Sequence, residues 1–278
     1  MLKTLRCASE VLDLSKPSVM GILNVTPDSF SDGGRFISAE SAVQQAREMI
    51  NAGADIIDIG GESTRPGATE VSIAEERQRV IPVVSAIRHE FPHTIISVDT
   101  RKPEIMADAI NAGAHLINDV YALRSPGAME LIANSNVAVC LMHMQGEPRT
   151  MQVEPQYDNV VDEVYHFLQQ RIEACVTAGI SEQRIIVDPG FGFGKNLNHN
   201  LELLKHLDRF KQLGVAVLVG VSRKSMIGAL LDKPVDQRLY GSLGLAAVAL
   251  WLDANIIRVH DVAPTRDVVK VIGAIKSI

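Results

Sequence analysis

The chain has 278 residues, of which 46% are apolar and 22% charged, and its formal net charge is −6. That length holds one large α/β domain or two small ones, and the composition suits a globular protein with a sizeable core. The acidic balance argues against a nucleic-acid partner, which would call for a basic face, while an anionic substrate at a local site remains compatible with it.

Met1 to Leu14 lacks the apolar region of a signal peptide. Val19 to Leu23 is a short apolar run of strand length that stops at Asn24. A segment rich in Ser, Thr, Asp, Gly and Pro follows, whose polar groups want water, a ligand or a metal. An amphipathic helix starts near Ser38, with Ala42, Val43, Ala46, Met49 and Ile50 as its apolar stripe. It ends at Asn51-Ala-Gly53, where glycine can take the left-handed cap, and the strand Ile56–Gly60 follows. The phrase returns at Asn111-Ala-Gly113, at Thr177-Ala-Gly179 and, with Asn255 in the glycine's role, at Asp253-Ala-Asn255.

Ser72-Ile-Ala-Glu75 reads as a capping box opening a helix through Ile87, and Pro82 is expected to kink it. Ile95–Asp99 precedes a helix with Pro103 in its first turn. Val137–Met142, Ile185–Asp188 and Val215–Val221 are further strands, and Leu243–Leu252 reads as a buried helix. Its longest apolar run, Leu245–Leu252, is too short to span a bilayer. Cys7, Cys140 and Cys175 are odd in number and far apart, as reduced thiols are. A soluble, cytoplasmic protein with no membrane or nucleic-acid partner is expected.

Counting gives about eight strand–helix units, the number of a (β/α)8 TIM barrel, whose usual length of roughly 250 residues also fits. A single domain over residues 1–278 is expected; a doubly wound open sheet is the alternative. In a barrel the strands' carboxyl ends converge on one mouth. Those ends are Asn24, Gly60 to Thr64, Asp99, Asn118 with Asp119, His143, Asp188, Ser222 to Lys224, and Arg258 with His260. Carboxylates, carboxamides and cations dominate them, which marks the mouth as a binding site.

Two loops carry a specific resemblance. Gly21-Ile-Leu-Asn-Val-Thr-Pro-Asp-Ser-Phe-Ser-Asp-Gly-Gly34 and Gly60-Gly-Glu-Ser-Thr-Arg-Pro-Gly67 together closely resemble the paired signatures of the dihydropteroate synthase family. Asp188-Pro-Gly-Phe-Gly-Phe-Gly-Lys195, Ser222-Arg-Lys224 and Arg258-Val-His260 resemble further blocks in the family's order. The resemblance runs from Val19 to about Asp261, and it implies a folate-pathway transferase on a TIM barrel. In the implied reaction p-aminobenzoate displaces pyrophosphate from 6-hydroxymethyl-7,8-dihydropterin diphosphate, giving dihydropteroate.

The resemblance assigns the pterin to Asp99, Asn118, Asp188 and Lys224. The chemistry agrees. A pterin edge offers an N–H and an amine, which one carboxylate accepts as two parallel, charge-assisted bonds, and Asn118 can both donate and accept. For Asp188 the competing reading is a cap on the following turn. Arg65, Arg258 and His260 are the cations expected on the diphosphate, with Asn24 and Thr64 beside them. Arg258 and His260 share a strand face. By resemblance Asn24 is the protein ligand of Mg²⁺; taken alone it reads equally as a turn residue. Phe30, Thr64, Pro66, Phe193 and Ser225 are expected to shape the aminobenzoate pocket, and Asp32, Arg65 and Lys224 to take part in catalysis, Asp32 by stabilising a dihydropterin cation. Late helices are expected, again by resemblance, to form a homodimer. Phe30 and Pro66 are the residue types the family associates with sulfonamide sensitivity.

Gly190 to Lys195 lacks Walker spacing and has Asn196 where Ser or Thr would stand, so its glycines are expected to let backbone approach a flat ligand. His143 has no metal-spaced partner. Two alternatives use the same barrel: a pterin-binding methyltransferase acting with a corrinoid protein, and a non-catalytic pterin-binding paralogue. Neither needs the diphosphate cations.

Overall fold

The computed structural model describes residues 2–26, 39–62, 71–146, 151, 152 and 154–278. It opens with an antiparallel hairpin, β1 (Thr4–Cys7) and β2 (Glu10–Asp13), turned at Ala8 with φ of 53°. The barrel strands follow: β3 (Ser18–Asn24), β4 (Ile56–Gly60), β5 (Ile95–Asp99), β6 (Leu116–Asp119), β7 (Ala138–Met142), β8 (Ile185–Asp188), β9 (Ala216–Val219) and β10 (Ile256–Val259). All neighbours pair in parallel, and β10 returns to β3 to close the ring. The closed ring rules out the open sheet.

Around it run α1 (Ala39–Asn51), α2 (Ile73–Glu90), α3 (Pro103–Asn111), α4 (Ala128–Ala133), α5 (Val160–Thr177), α6 (Leu197–Lys205), α7 (Ser225–Leu231), α8 (Leu239–Trp251) and α9 (Val262–Lys276). Strand side chains alternate between two cores. Outward residues such as Leu23, Ile57, Ile96, Ile117, Val139, Val187, Val219 and Ile257 pack with the helices. Inward residues Met20, Ile56, Ile95, Leu116, Ala138, Ile186, Leu218 and Ile256 fill the barrel's lower half, and Leu5, Cys7, Leu12 and Leu14 of the hairpin pack with them. Each fully buried aliphatic chain contributes about 1.5–3 kcal/mol. The hairpin therefore plugs the end opposite the mouth, a role its Leu-x-Cys and Leu-x-Leu alternation could have signalled.

The helix-to-strand turns repeat closely. Gly53, Gly113 and Gly179 take φ of 96°, 100° and 93°. At the fourth turn the left-handed residue is Asp253, with φ of 68°, not Asn255. Asn255 instead stands where Asp55 and His115 stand, and all three make one reciprocal bracket. Asp55, His115 and Asn255 donate backbone N–H to Val19, Ile96 and Val217 O at 2.8, 2.8 and 2.9 Å. Their side chains accept the N–H of those same residues at 2.8, 3.1 and 2.9 Å. Each bracket fixes where a strand starts, and hence where it ends at the mouth.

Other local readings need adjustment. Ser72 does cap α2 by accepting Glu75 N–H at 3.3 Å, but the Glu75 carboxylate pairs with Arg79 and so completes no box. The helix, with Pro82 inside it, extends past Ile87 to Glu90. On α8 the buried face is Ser242, Ala246, Ala249 and Leu250, while Tyr240, Val248 and Trp251 are exposed; it is not a buried helix. The three cysteines are free and buried. Among the described residues no helix is long and apolar enough to cross a membrane.

Candidate active site

The ladder register gathers the expected pterin residues. Asn24 pairs with Gly60, Gly60 with Asp99, and Asp99 with Asn118, so four adjacent strands end in one inward-facing row. At Gly60 a side chain would stand 3.6 Å from Asp99 Cβ and 3.7 Å from Asn24 Oδ1, so its absence opens the row between the carboxamide and the carboxylate. Asp188 ends β8 on the facing wall and Arg258 enters from β10.

Arg258 is the hub. Its Nε donates to Asp58 Oδ2 at 2.6 Å and its Nη2 to Asp99 Oδ2 at 2.8 Å. Two of its five N–H groups are used in this way, and the carboxylates raise its pKa against the effect of burial. Burial pushes the Asp99 carboxyl up to about 7, with Arg258 pulling against it and Asp58 adding to it. Asp58 is wholly buried and was not among the expected residues. The signal was a lone carboxylate at an inward position of Ile56-Ile-Asp-Ile-Gly60. Asn118 Nδ2 donates to the same Asp58 oxygen at 3.2 Å.

Asp188 is 7% exposed. Its Oδ1 accepts Gly190 N–H at 2.7 Å, so the turn-capping role is real. An ionised carboxylate has further acceptor sites on both oxygens, and these remain for a ligand. Burial raises its pKa, opposed by the Gly190 bond and by Lys224. Lys224 lies just before α7 with Nζ 4.2 Å from the Phe193 ring centroid. Burial and then Arg258 lower its pKa to about 8. Phe193 packs with Val120, Met142, Met144 and Met151, forming an apolar wall beside the cation.

In the glycine-rich loop Gly192 faces Lys224, where a side chain would stand 3.3 Å from Cδ, while its two neighbouring glycines serve packing. A side chain at Gly190 would meet His143 O at 1.9 Å, and one at Gly194 would meet Gln145 O at 2.4 Å. Both glycines have positive φ and press on the loop after β7. Lys195 locks that contact. Its buried ammonium reaches His143 Nδ1, Gly190 O and Phe193 O, each at 2.9 Å. Burial lowers its pKa to about 7, and burial with Lys195 beside it lowers His143 to about 2. A neutral His143 accepting from lysine is a strut, not a metal ligand.

Asp119 also does structural work. It points outward and accepts Tyr121 and Leu123 N–H at 2.8 and 2.7 Å, holding a turn in which Ala122 and Leu123 have φ of 54° and 56°. Lys102 binds Glu62 Oε2, Glu76 Oε2 and Val71 O at 2.8, 2.6 and 2.6 Å, and Arg79 holds Gly61 O at 2.9 Å. These contacts tie down both sides of the second loop. Phe30, Asp32, Thr64, Arg65 and Pro66 lie outside the described residues.

His260 Nδ1 lies 3.1 Å from Ser222 Oγ, and burial with Arg258 lowers its pKa to about 4. Among the described residues, Arg258 and Lys224 are the cations at the mouth. Arg223, at φ 57°, is committed to Asp261 through bonds of 3.0 and 2.6 Å. Ser225 opens α7 and is exposed. Among the described residues no group of three or more His, Cys, Asp or Glu is placed to hold a metal.

A barrel mouth in which carboxylates and a carboxamide alternate with Arg258 and Lys224 suits a flat, polar, anionic ligand. The family model described as pterin binding enzyme matches residues 20–260. The chain is 55% identical over 263 residues to the dihydropteroate synthase of Haemophilus influenzae, covering 95% of each. The Yersinia pestis dihydropteroate synthase, solved with a sulfonamide drug, superposes with a TM-score of 0.95 at 51% identity, over 99% of this chain and 100% of that one. The Xanthomonas albilineans enzyme, solved with 4-aminobenzoic acid, gives 0.94 at 48% identity over 100% of both chains. The chain belongs to the dihydropteroate synthase family of pterin-binding enzymes.

Proposed function

We propose that this protein condenses p-aminobenzoate with 6-hydroxymethyl-7,8-dihydropterin diphosphate, giving 7,8-dihydropteroate and pyrophosphate. The observation that carries the reading is one mouth in which Asp99, Asn118 and Asp188 stand with Arg258 and Lys224. The carboxylates, the carboxamide and Lys224 suit the ring edge, and Arg258 suits the diphosphate. Asp188 accepts the ring N–H and amine as a charge-assisted pair, and Asn118 and Asp99 take other edges. Lys224 donates to the ring carbonyl or adjacent nitrogen from beside the Phe193 wall, against which the aminobenzoate ring packs. Asn24, Thr64, Arg65, Arg258 and His260 take the diphosphate. Phe30, Thr64, Pro66 and Ser225 complete the aminobenzoate pocket, and Asp32 faces the charge that develops as pyrophosphate departs.

Mg²⁺ belongs to this reading. Asn24 Oδ1 stands over the open position at Gly60, and a hard cation that keeps waters and substrate oxygens needs only such a single protein oxygen. When bound it would neutralise the leaving group, favouring a dissociative displacement. The aminobenzoate amine then needs positioning more than a strong base. The buried free thiols suit a reducing, cytoplasmic setting.

Lys224 gives the reaction a pH signature. Its folded pKa of about 8 lies below the ordinary lysine value, so the donor cation is lost as pH rises through about 8. The kcat/KM for the pterin substrate should fall along that alkaline limb, and Lys224→Arg should move the limb beyond the accessible range. A flat profile from pH 7 to about 9.5 would refute the role.

The homodimer is part of the same proposal. Exposed apolar side chains gather late in the chain, with Leu231, Tyr240, Val248, Trp251 and Ile275 all on α7, α8 or α9. Trp251→Glu should convert a sedimenting dimer into a monomer; a wild-type monomer at micromolar concentration would refute it. The function itself is tested by dihydropteroate formation from both substrates, with sulfonamide inhibition relieved by added p-aminobenzoate. No product, or inhibition that p-aminobenzoate leaves unchanged, would count against the assignment.

A further inference from the structure

A charged side chain inside an apolar strand must be matched by partners, because burying an unpaired carboxylate is prohibitive. Asp58 lies at the middle of β4, 0% exposed, one inward position below the row of Asn24, Gly60, Asp99 and Asn118. One of its oxygens, Oδ2, holds two groups from different walls: Nε of Arg258 at 2.6 Å and Nδ2 of Asn118 at 3.2 Å. We propose that Asp58 is a positioning residue that fixes Asn118 and Arg258 together, joining the half of the pocket that reads the pterin ring to the half that faces the diphosphate. The proposal rests on the synthase reading above.

Two consequences follow from the geometry. An asparagine amide can rotate to exchange its donor and acceptor ends. Asp58 is a pure acceptor when ionised, so it holds Nδ2 towards itself. Asn118 then offers Oδ1 and its second N–H to the ring, always in the same sense. Arg258 is held at two points, Asp58 through Nε and Asp99 through Nη2. Asp99 ends its strand at the mouth and is needed by the ring, so a bound pterin competes with Arg258 for it. Asp58 lies below the mouth and fully buried, where no ring reaches it. Its grip on Nε keeps the guanidinium in place while the Nη end and Asp99 are redistributed to the substrate.

The test compares wild type with Asp58→Asn, which keeps the shape but is neutral and adds a donor against Arg258. Expected is a fall of about 100-fold in kcat/KM for the pterin diphosphate, with KM for p-aminobenzoate unchanged. Titration with 6-hydroxymethylpterin, which lacks the diphosphate, should also show weakened binding, because Asn118 loses its fixed orientation. A purely structural Asp58 would lower the melting temperature while leaving both ligand measurements at wild-type values, and that result would overturn the proposal. Should the variant not fold, the wild-type enzyme crystallised with a pterin diphosphate analogue decides: Nε of Arg258 and Nδ2 of Asn118 must both still lie on Asp58 Oδ2. Either bond broken refutes it. A wild-type enzyme without turnover would count against the synthase reading alone, since the pterin titration and the crystal structure judge Asp58 without turnover.

Discussion

Replacing Asp188 by asparagine is expected to reduce kcat/KM for the pterin diphosphate by about two to three orders of magnitude, while the protein folds as before. Oδ1 of Asp188 is committed to Gly190 N–H at 2.7 Å, a bond that an asparagine carbonyl can keep. The other branch then becomes an NH₂ group facing one of the two ring donors, donor against donor. Losing one partner of a buried charge-assisted pair costs about 2–5 kcal/mol, which sets the size of the effect. Folding stability should hold or rise, since burial already raises the carboxyl pKa and the variant removes that desolvated charge. Steady-state kinetics with pterin titration check it. An Asp188→Asn enzyme within about threefold of wild type in kcat/KM would remove Asp188 from ring recognition and leave it as a turn cap.

Lys195→Met is expected to lower stability by about 3 kcal/mol, since an unsatisfied buried polar group costs about 1–3 kcal/mol and several are left behind. The methionine fills similar space but donates nothing to Gly190 O, Phe193 O or His143 Nδ1. For a chain of this size that is a fall of roughly 6–12 °C in Tm. The loop would also lose its hold on Phe193, so KM for p-aminobenzoate should rise. The pH dependence has a definite sign. Folding lowers the lysine pKa from 10.5 to about 7, so the unfolded chain holds more protons between those values, and this group's contribution to stability rises with pH across that window. The gap in Tm between wild type and variant should therefore widen from pH 7 to about 9. Melting curves at several pH values test both statements; a variant melting with wild type would make Lys195 a spectator.

How much of this was readable beforehand depends on where each residue sits along its strand. Asn24, Asp99, Asn118, Asp188 and Arg258 each mark the point where an apolar strand turns polar, and a parallel barrel brings such points together whatever the loops do. Asp58 broke that rule by lying mid-strand, so only the inward alternation of β4 could have flagged it. Lys195 sits in a loop that fails as a phosphate loop on spacing alone; two of its partners are the nearby carbonyls of Gly190 and Phe193, and the third, His143, is 52 residues away, a contact that leaves no mark in the chain. Lys102 was hidden for the same reason: its carboxylates come from Glu62 and Glu76, on either side of the second loop. That Arg258 is strung between two carboxylates could not be read from its strand alone. Burial beside Arg258 lowers the His260 pKa, an effect that only the closed barrel reveals. Residue type and strand position marked Asn24, Asp99, Asn118, Asp188 and Arg258, while their pairing came from the closed barrel.

The most direct test of the whole account is pyrophosphate release by the purified protein supplied with 6-hydroxymethyl-7,8-dihydropterin diphosphate. The account predicts release in step with dihydropteroate formation, dependent on both p-aminobenzoate and Mg²⁺ and abolished by a chelator. Tight pterin binding with no aminobenzoate-dependent release would contradict it and point to a pterin-binding protein without the synthase reaction.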